Sequence, residues 1–239
     1  MSKIVSIAST KGGSGKTTLA VCVGAHFAVE MGLKVALIDL DGPQFHAAKW
    51  IRRSAKLNEA IRVVTLKDII RQKQKVWQAL DKLRTQFDIV LIDVVGADSE
   101  PLNDGLVNAD LVVIPAGDST LDVDGIDMTV DRIRFLEEQH KISIPFVLAL
   151  TKIMPHSVLR KIVIADIERA GYPRFESEVR YLQKLKESFV LGTAPAILGG
   201  GRKSGRMGLA YQDIRALTEE LAKHLVSIPG AKEQTNVAA

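Results

Sequence analysis

The sequence predicts an α/β fold in which helices cover both faces of a mostly parallel, twisted sheet. Two observations predict it. Short apolar runs alternate along the chain with longer stretches of helical periodicity, which is the order that βαβ units produce. Several of these runs, among them VALIDL and DIVLID, are continuously apolar, as expected for strands that are covered on both faces.

Each predicted strand is a short apolar run bounded by polar or turn-forming residues. The strands cover Ile4–Ala8, Val35–Leu40, Ile61–Leu66, Ile89–Asp93, Leu111–Pro115 and Pro145–Thr151. The longer stretches between and after them place apolar residues at helical spacing, which predicts helices. They cover Lys16–Met31, Gln44–Lys56, Lys67–Thr85, Asp124–Gln139, Ser157–Ala170 and Met207–Val226.

Composition and length indicate one domain over residues 1–228. The chain has 239 residues, 46% hydrophobic and 25% charged, which is ordinary for a globular protein. The small, polar segment 229–239 is expected to be a disordered tail.

A single cysteine, Cys22, excludes an internal disulfide framework and a cysteine-based zinc site. Without a signal peptide or a membrane-spanning run, the protein is expected to be cytoplasmic.

The net charge of +4 hides a strong segregation of charge along the chain. Residues 44–86 carry eleven Lys or Arg and three Asp or Glu, whereas residues 88–131 carry eleven acids and no Lys or Arg. Residues 152–206 again carry eleven basic residues, against five acids. Segregated charge favours a polyanion-binding face, although ordinary solvated helix surfaces explain any one segment equally well.

The segment Ser9–Thr18, STKGGSGKTT, follows a predicted strand and opens a predicted helix, the context of a phosphate-binding loop. Its glycines allow successive N–H groups to form a concave anion site, which the N-terminus of the helix reinforces. Lys16 can then reach the β- and γ-phosphates, and the Thr17 hydroxyl can bind Mg²⁺. Thr10 stands where the strict pattern G-x-x-x-x-G-K-[ST] has its first glycine.

The same segment resembles the deviant Walker A motif K-G-G-x-G-K-[ST]-T of the ParA/MinD family of P-loop ATPases. The resemblance implies a fold of the P-loop NTPase class and nucleotide binding by residues 11–18, namely Lys11, Gly12, Gly13, Ser14, Gly15, Lys16, Thr17 and Thr18. In that family the first lysine, here Lys11, reaches across a dimer to the nucleotide of the other subunit. A cation at that place would stabilise the transferring charge and make ATP hold the dimer together.

Two strand ends extend the resemblance. Val35–Gln44, VALIDLDGPQ, is similar to the family's D-x-D-P-Q motif, which implies that Asp39 belongs to the magnesium shell and that Asp41 positions the attacking water. Here Gly42 is inserted before Pro43, so the assignment of the two aspartates stays open. DIVLID ends in Asp93 and resembles Walker B, which implies a magnesium role for Asp93 beside Thr17. The family usually continues D-x-P-G, whereas this chain has Val94-Val95-Gly96.

Other features favour a DNA-binding branch of the family. The last residues have no apolar face for a membrane helix, and one cysteine cannot bind an iron–sulfur cluster. The loop at residues 199–206 contains Arg202, Lys203 and Arg206 and no acid, which predicts sequence-independent contacts to DNA phosphates. An ordinary mobile surface loop is the competing interpretation. Thr151-Lys152 ends a strand near the place where the family binds the base.

The resemblance therefore implies an ATPase that uses ATP and Mg²⁺, forms a homodimer when ATP is bound, and binds non-specific double-stranded DNA near the nucleoid. A ParB-like or adaptor protein would stimulate its slow hydrolysis, and plasmid DNA is the favoured cargo. A MinD-like protein, or an ATPase that positions transfer DNA or a protein organelle, remains an alternative. Two further alternatives are a small-molecule P-loop kinase and a nucleotide-gated scaffold that barely hydrolyses ATP.

Overall fold

The computed structural model describes residues 2–96, 99–198 and 205–228. Within these ranges there are seven strands: β1 (Lys3–Ile7), β2 (Val35–Asp39), β3 (Ile61–Thr65), β4 (Ile89–Asp93), β5 (Leu111–Ala116), β6 (Phe146–Ile153) and β7 (Val179–Arg180). They form one sheet in the order β3-β2-β4-β1-β5-β6-β7, and all neighbouring pairs are parallel. The predicted α/β class with a parallel sheet is confirmed.

Eleven helices lie in the same described ranges. They are α1 (Lys16–Val29), α2 (His46–Arg53), α3 (Ala55–Ala60), α4 (Leu66–Arg71), α5 (Val76–Arg84), α6 (Glu100–Val107), α7 (Thr120–His140), α8 (Val158–Ala170), α9 (Gln183–Val190), α10 (Pro195–Leu198) and α11 (Gly205–Ser227). Within these residues, no helix is both long and apolar enough to cross a lipid bilayer.

The helices form two layers, one on each face of the sheet. One core joins apolar side chains of α1, α2, α3, α9, α10 and α11 to the sheet. The second core joins those of α4 to α8 to the opposite face. Because both faces are covered, residues that alternate along β4, such as Val90 and Leu91, are all buried. This double covering explains why the strands are continuously apolar in sequence.

Several elements differ from the predicted ones. The predicted helix at 44–56 is divided at Ser54, an extended residue whose side chain caps α3. The predicted helix at 67–85 is divided near Lys73, which has a positive φ of 53°. Helix α7 begins at Thr120, four residues before the predicted start. Strand β7 and helices α6, α9 and α10 were not predicted, because elements of two to eight residues bury too few apolar side chains to produce a clear periodicity.

Candidate nucleotide-binding site

The loop between β1 and α1 carries the predicted phosphate-binding residues at the carboxyl end of a central strand. Gly13 and Gly15 have positive φ angles of 74° and 100°, a region that residues with a Cβ rarely occupy. Gly15 is also the N-cap of α1, and the first turn of that helix contains no acidic residue. The first N–H groups of α1 therefore remain available to an anion such as a phosphate.

Lys16 lies under this loop and is almost fully buried. Its Nζ donates a hydrogen bond to the carbonyl oxygen of Lys11, at 2.9 Å. Burial lowers the pKa of Lys16, although the nearby carboxylates of Asp93 and Asp41 act to raise it. A buried cation beside the backbone N–H donors of this loop provides the charge that a triphosphate requires.

Gly96, three residues after β4, lies against the same lysine. A Cβ at this position would stand 2.7 Å from Nζ of Lys16 and 3.1 Å from Cα of Gly12. A larger residue here would have to displace the end of the Lys16 side chain and shift the loop backbone slightly, so glycine favours this close approach. The resulting contact ties the end of the Walker B-like strand to the phosphate-binding loop.

Two carboxylates meet beside the loop because β2 and β4 are paired in register. Asp39 is aligned with Asp93, and both residues are completely buried. Asp39 accepts hydrogen bonds from the N–H groups of Ala48 at 2.9 Å and Asp41 at 3.1 Å. Burial raises the pKa of Asp39 to about 6, against the effect of these two donors. Burial and then the charge of Asp39 raise the pKa of Asp93 to about 8.

These side chains fit a magnesium ion shared with a nucleotide. No hydrogen bond of normal geometry reaches either carboxylate oxygen of Asp93 within the described part of the chain. The Thr17 side chain nevertheless lies close enough to lower the pKa of Asp93. No set of three or more His, Cys, Asp or Glu among the described residues is arranged to hold a metal alone. Magnesium is usually held by one or two carboxylates together with substrate phosphates, so this donor set suits it.

Lys11 is paired within its own chain. Its Nζ lies 2.8 Å from a carboxylate oxygen of Asp122 on α7, and Asp122 also accepts a hydrogen bond from the Ser119 hydroxyl at 2.5 Å. Burial raises the pKa of Asp122, but the hydrogen bonds from Lys11 and Ser119 outweigh it, so that the pKa falls below its usual value. A Cβ on Gly125 would lie 3.0 Å from Cβ of Lys11, so this glycine makes room for the lysine stem.

The end of β6 holds the phosphate-binding loop from the other side. The Thr151 hydroxyl donates to the carbonyl oxygen of Ser14 at 3.1 Å, and Nζ of Lys152 donates to the carbonyl oxygen of Gly13. Lys152 has a positive φ of 58°, and the pairing of β6 with β7 is irregular at this point. Two consecutive loop carbonyls are thus bound by side chains of β6, which fixes the backbone of the loop on this side.

The family model described as ATPase MipZ matches residues 3–142, more than half of the chain. The chain belongs to the MipZ-type ATPases of the ParA/MinD family. The structure thus describes a P-loop ATPase of that family, and the predicted family membership and ATPase activity are confirmed.

The individual relatives of this ParA/MinD-type ATPase that we compared have 25% sequence identity to it or less. It is 25% identical over 201 residues to maintenance of carboxysome distribution protein A of Halothiobacillus neapolitanus, covering 84% of this chain and 89% of that protein. It is also 25% identical over 233 residues to protein ParA of Rhizobium radiobacter, covering 93% and 97%. The fold is that of septum site-determining protein MinD from Pyrococcus horikoshii, solved with Mg-ADP, at a TM-score of 0.70 and 16% identity over 97% of this chain and 100% of that one.

Two pockets flank the phosphate-binding loop of this ATPase. The first is mostly apolar and lies between α1, β7 and α9, with Leu19, Val179 and Leu185 among its lining residues. The second is lined by charged residues, among them Lys11 and Asp118, together with apolar surface. Lys152 borders both pockets. The apolar pocket has the character of a nucleobase site, and the second pocket places the charged side chains of Lys11 and Asp118 beside the phosphate-binding loop.

The structure brings together most of the predicted site residues. Residues 11–18 with Asp39, Asp41 and Asp93 meet at the carboxyl ends of β1, β2 and β4. Arg202 and Lys203 lie outside the described residues, as does the side chain of Arg206. Sequence analysis did not find the pairing of Lys11 with Asp122, nor the close approach of Gly96. No spacing pattern signals contacts between residues so far apart in the chain.

Proposed function

We propose that this ATPase positions a cargo by binding DNA in a nucleotide-dependent manner. ATP and Mg²⁺ bind at the phosphate-binding loop, two copies associate around ATP, and the dimer binds duplex DNA without sequence preference. Hydrolysis, accelerated by a ParB-like or adaptor protein, releases the dimer, so that the protein is cytoplasmic and transiently associated with the nucleoid. The observation that carries the proposal is the deviant phosphate loop, with Lys11 lining the second pocket.

The side chains of the site suggest distinct roles in this reaction. Lys16 and the N–H groups of residues 12–16 bind the phosphates, while Thr17, Asp93 and Asp39 hold magnesium. Magnesium, when bound, neutralises charge that develops on the phosphate oxygens. Asp41 lies two residues beyond the buried Asp39 and contributes to the field at Lys16, a position suited to orienting the attacking water. Lys11 would leave Asp122 in order to reach the nucleotide of a second copy.

Two relatives support the proposal that this ATPase positions a cargo. One is named for maintaining carboxysome distribution, and the other is named ParA. We place plasmid DNA first as the cargo, because the second match covers nearly the whole of both chains. A protein organelle or transfer DNA is the alternative.

Binding of random-sequence duplex DNA tests the proposal. The protein is titrated into labelled DNA with Mg-ATP, with Mg-ADP or without nucleotide, each at two salt concentrations. We expect binding with Mg-ATP alone, and we expect it to weaken steeply as salt rises, because phosphate contacts release counterions. Equal binding in the three nucleotide states, or no binding in any, would contradict DNA-dependent positioning.

A further inference from the structure

We propose that the exposed sheet edge formed around β3 is the surface that contacts the DNA backbone. This inference rests on the proposed function and adds the place of contact. The basic edge, as we call this surface, consists of Arg52, Arg53, Lys56, Arg62, Lys67 and Arg71. All six side chains are exposed.

The position of β3 in the sheet brings these residues to one side of the molecule. Strand β3 is the last strand of the sheet and pairs only with β2 among the described strands. Arg62 lies on β3 itself. Helices α2 and α3 pack on one face of the sheet, while α4 packs on the other. Basic side chains therefore flank the edge strand on both sides.

One contact links the two flanks directly. Nη2 of Arg52, on α2, lies 3.7 Å from a carboxylate oxygen of Asp68, on α4. The C-terminal part of α2 and the beginning of α4 are thus neighbours around the end of β3. The two groups of cations therefore approach each other around the end of β3, with Asp68 between them.

The charge of this surface is poorly compensated. Of the six residues, only Arg52 has an ion pair within the described part of the chain, and that pair is largely exposed and contributes little energy. Two acids, Glu59 on α3 and Asp68 on α4, lie among the six cations, and Arg71 as well as Arg52 acts on Asp68. Most of the acids are carried by residues 88–131, which supply β4, α6, β5 and the start of α7. Such a separation of charge would orient the protein with its basic edge toward a polyanion.

Duplex DNA fits this surface better than a single strand does. Single-strand sites combine cations with exposed aromatic platforms. The aromatic ring that lies against the basic edge, that of Phe189, is 5.5 Å from the Arg53 guanidinium and is partly buried, so it does not offer such a platform. Long, flexible cations on both sides of an edge can follow the repeated phosphates of a duplex without reading bases. Charged residues also protect edge strands from pairing with other chains. Charges of either sign would protect an edge strand, so protection alone does not explain why both flanking helix layers carry mainly positive charges.

A triple substitution tests the basic edge. The variant Lys56→Gln, Arg62→Gln, Lys67→Gln removes three cations that lie outside the nucleotide site. With Mg-ATP, we expect duplex binding at least tenfold weaker than that of the unchanged protein. The slope of log K against log salt should become shallower by about 0.9 for each DNA phosphate that the variant no longer neutralises. The basal ATPase rate should stay the same.

A matched control removes the same net charge elsewhere. The variant Lys141→Gln, Lys161→Gln, Lys223→Gln changes three exposed lysines away from β3 and should keep both the affinity and the salt dependence. Equal weakening in both variants would indicate a net-charge effect and overturn the inference. Aggregation of the edge variant with unchanged DNA binding would assign the cations to edge protection, which also overturns it.

Two further measurements separate the remaining outcomes. A variant with Arg202, Lys203 and Arg206 changed to Gln tests the loop at 199–206. If this loop variant loses DNA binding while the edge variant keeps it, the DNA surface lies at the loop and the inference is overturned. Poly-glutamate that binds the unchanged protein as tightly as DNA would indicate an acidic protein partner and overturn the inference. Absence of DNA binding by the unchanged protein with Mg-ATP would instead refute the proposed function.

Discussion

Lys152 shows how a single strained residue can shape the site. Its backbone is left-handed, which costs a residue with a Cβ about 1–3 kcal/mol, yet its Nζ binds the carbonyl oxygen of Gly13. Lys141, the C-cap of α7, has a similar φ of 53° but is exposed and distant from the loop. The two lysines share a backbone conformation and differ in what they touch.

Substitution of Lys152 should separate strain from function. Lys152→Ala keeps the strain and removes the hydrogen bond to the loop, whereas Lys152→Gly removes both. We expect KM for ATP to rise about tenfold in each variant, since a charged hydrogen bond disappears, and the Gly variant to be more stable than the Ala variant by about 1 kcal/mol. Steady-state kinetics and urea unfolding measure both quantities.

The control for this prediction is Lys141→Gly. It should gain stability in the same direction, because it relieves the same backbone conformation, and it should leave KM unchanged. An unchanged KM in both Lys152 variants would show that this lysine does not position the phosphate-binding loop.

Asp93 should make the free protein less stable as pH rises. Its folded pKa of about 8 lies far above the ordinary value of 3.8, so the folded chain binds an extra proton between about pH 4 and pH 8. Stability is greatest below this window and falls through it as the buried carboxyl ionises. Asp93→Asn should remove most of this fall and stabilise the chain at pH 8 by an amount on the order of 2–5 kcal/mol. The part that remains belongs to Asp39, whose raised pKa of about 6 makes stability fall in the same direction.

Urea unfolding at pH 5 and pH 8, in EDTA and without nucleotide, measures this effect. The same variant should lose the additional stabilisation that Mg²⁺ gives in the presence of ATP. A variant that is less stable than the original protein at pH 8 would show that Asp93 has a favourable partner in the free chain.

At the scale of elements, Trp50 joins α2 to the segment between α9 and α10. Its indole N–H donates to the carbonyl oxygen of Thr193 at 2.7 Å, and its ring meets Phe189 edge-on, with the centroids 5.5 Å apart. From the sequence, both tryptophans are expected to be half-buried anchors. In the structure Trp50 is 1% exposed and Trp77 is 43% exposed, because α2 is covered by α9 and the outer face of α5 is not.

Paired substitutions check this difference. Trp50→Phe should destabilise the protein by about 1–3 kcal/mol, because it leaves a buried carbonyl without its donor and removes packed atoms. Trp77→Phe should change the stability by less than about 0.5 kcal/mol. Urea denaturation followed by circular dichroism measures both variants, and equal effects would contradict the packing described for α2.

At the scale of the whole molecule, the proposed dimer would make Lys11 the link between the nucleotide site and assembly. In one chain it is bound to Asp122, so it must exchange this partner in order to reach a second copy. Lys11→Ala should abolish ATP-dependent dimerisation and leave a monomer that still binds ATP through Lys16 and the loop N–H groups. Sedimentation with Mg-ATP, at several protein concentrations, measures this, with Lys161→Ala as the control. A dimer that persists in the Lys11 variant would refute the proposed role.

The sequence alone determined the class of the fold and the core of the site. The continuous apolar strands and the motif at residues 9–18 depend on local patterns, which survive without knowledge of distant contacts. The meeting of the loop with Asp39 and Asp93 was also predictable, because carboxyl ends of parallel strands share one edge of the sheet.

Only the tertiary structure decided the contacts between remote segments. Lys11 and Asp122 are 111 residues apart in the chain, and Lys152 lies 139 residues from its partner Gly13. The basic edge likewise exists because β3 ends the sheet and two helix layers flank it, whereas the sequence shows only an excess of cations. Strand order and layer packing bring such residues together, and no local pattern along the chain encodes them.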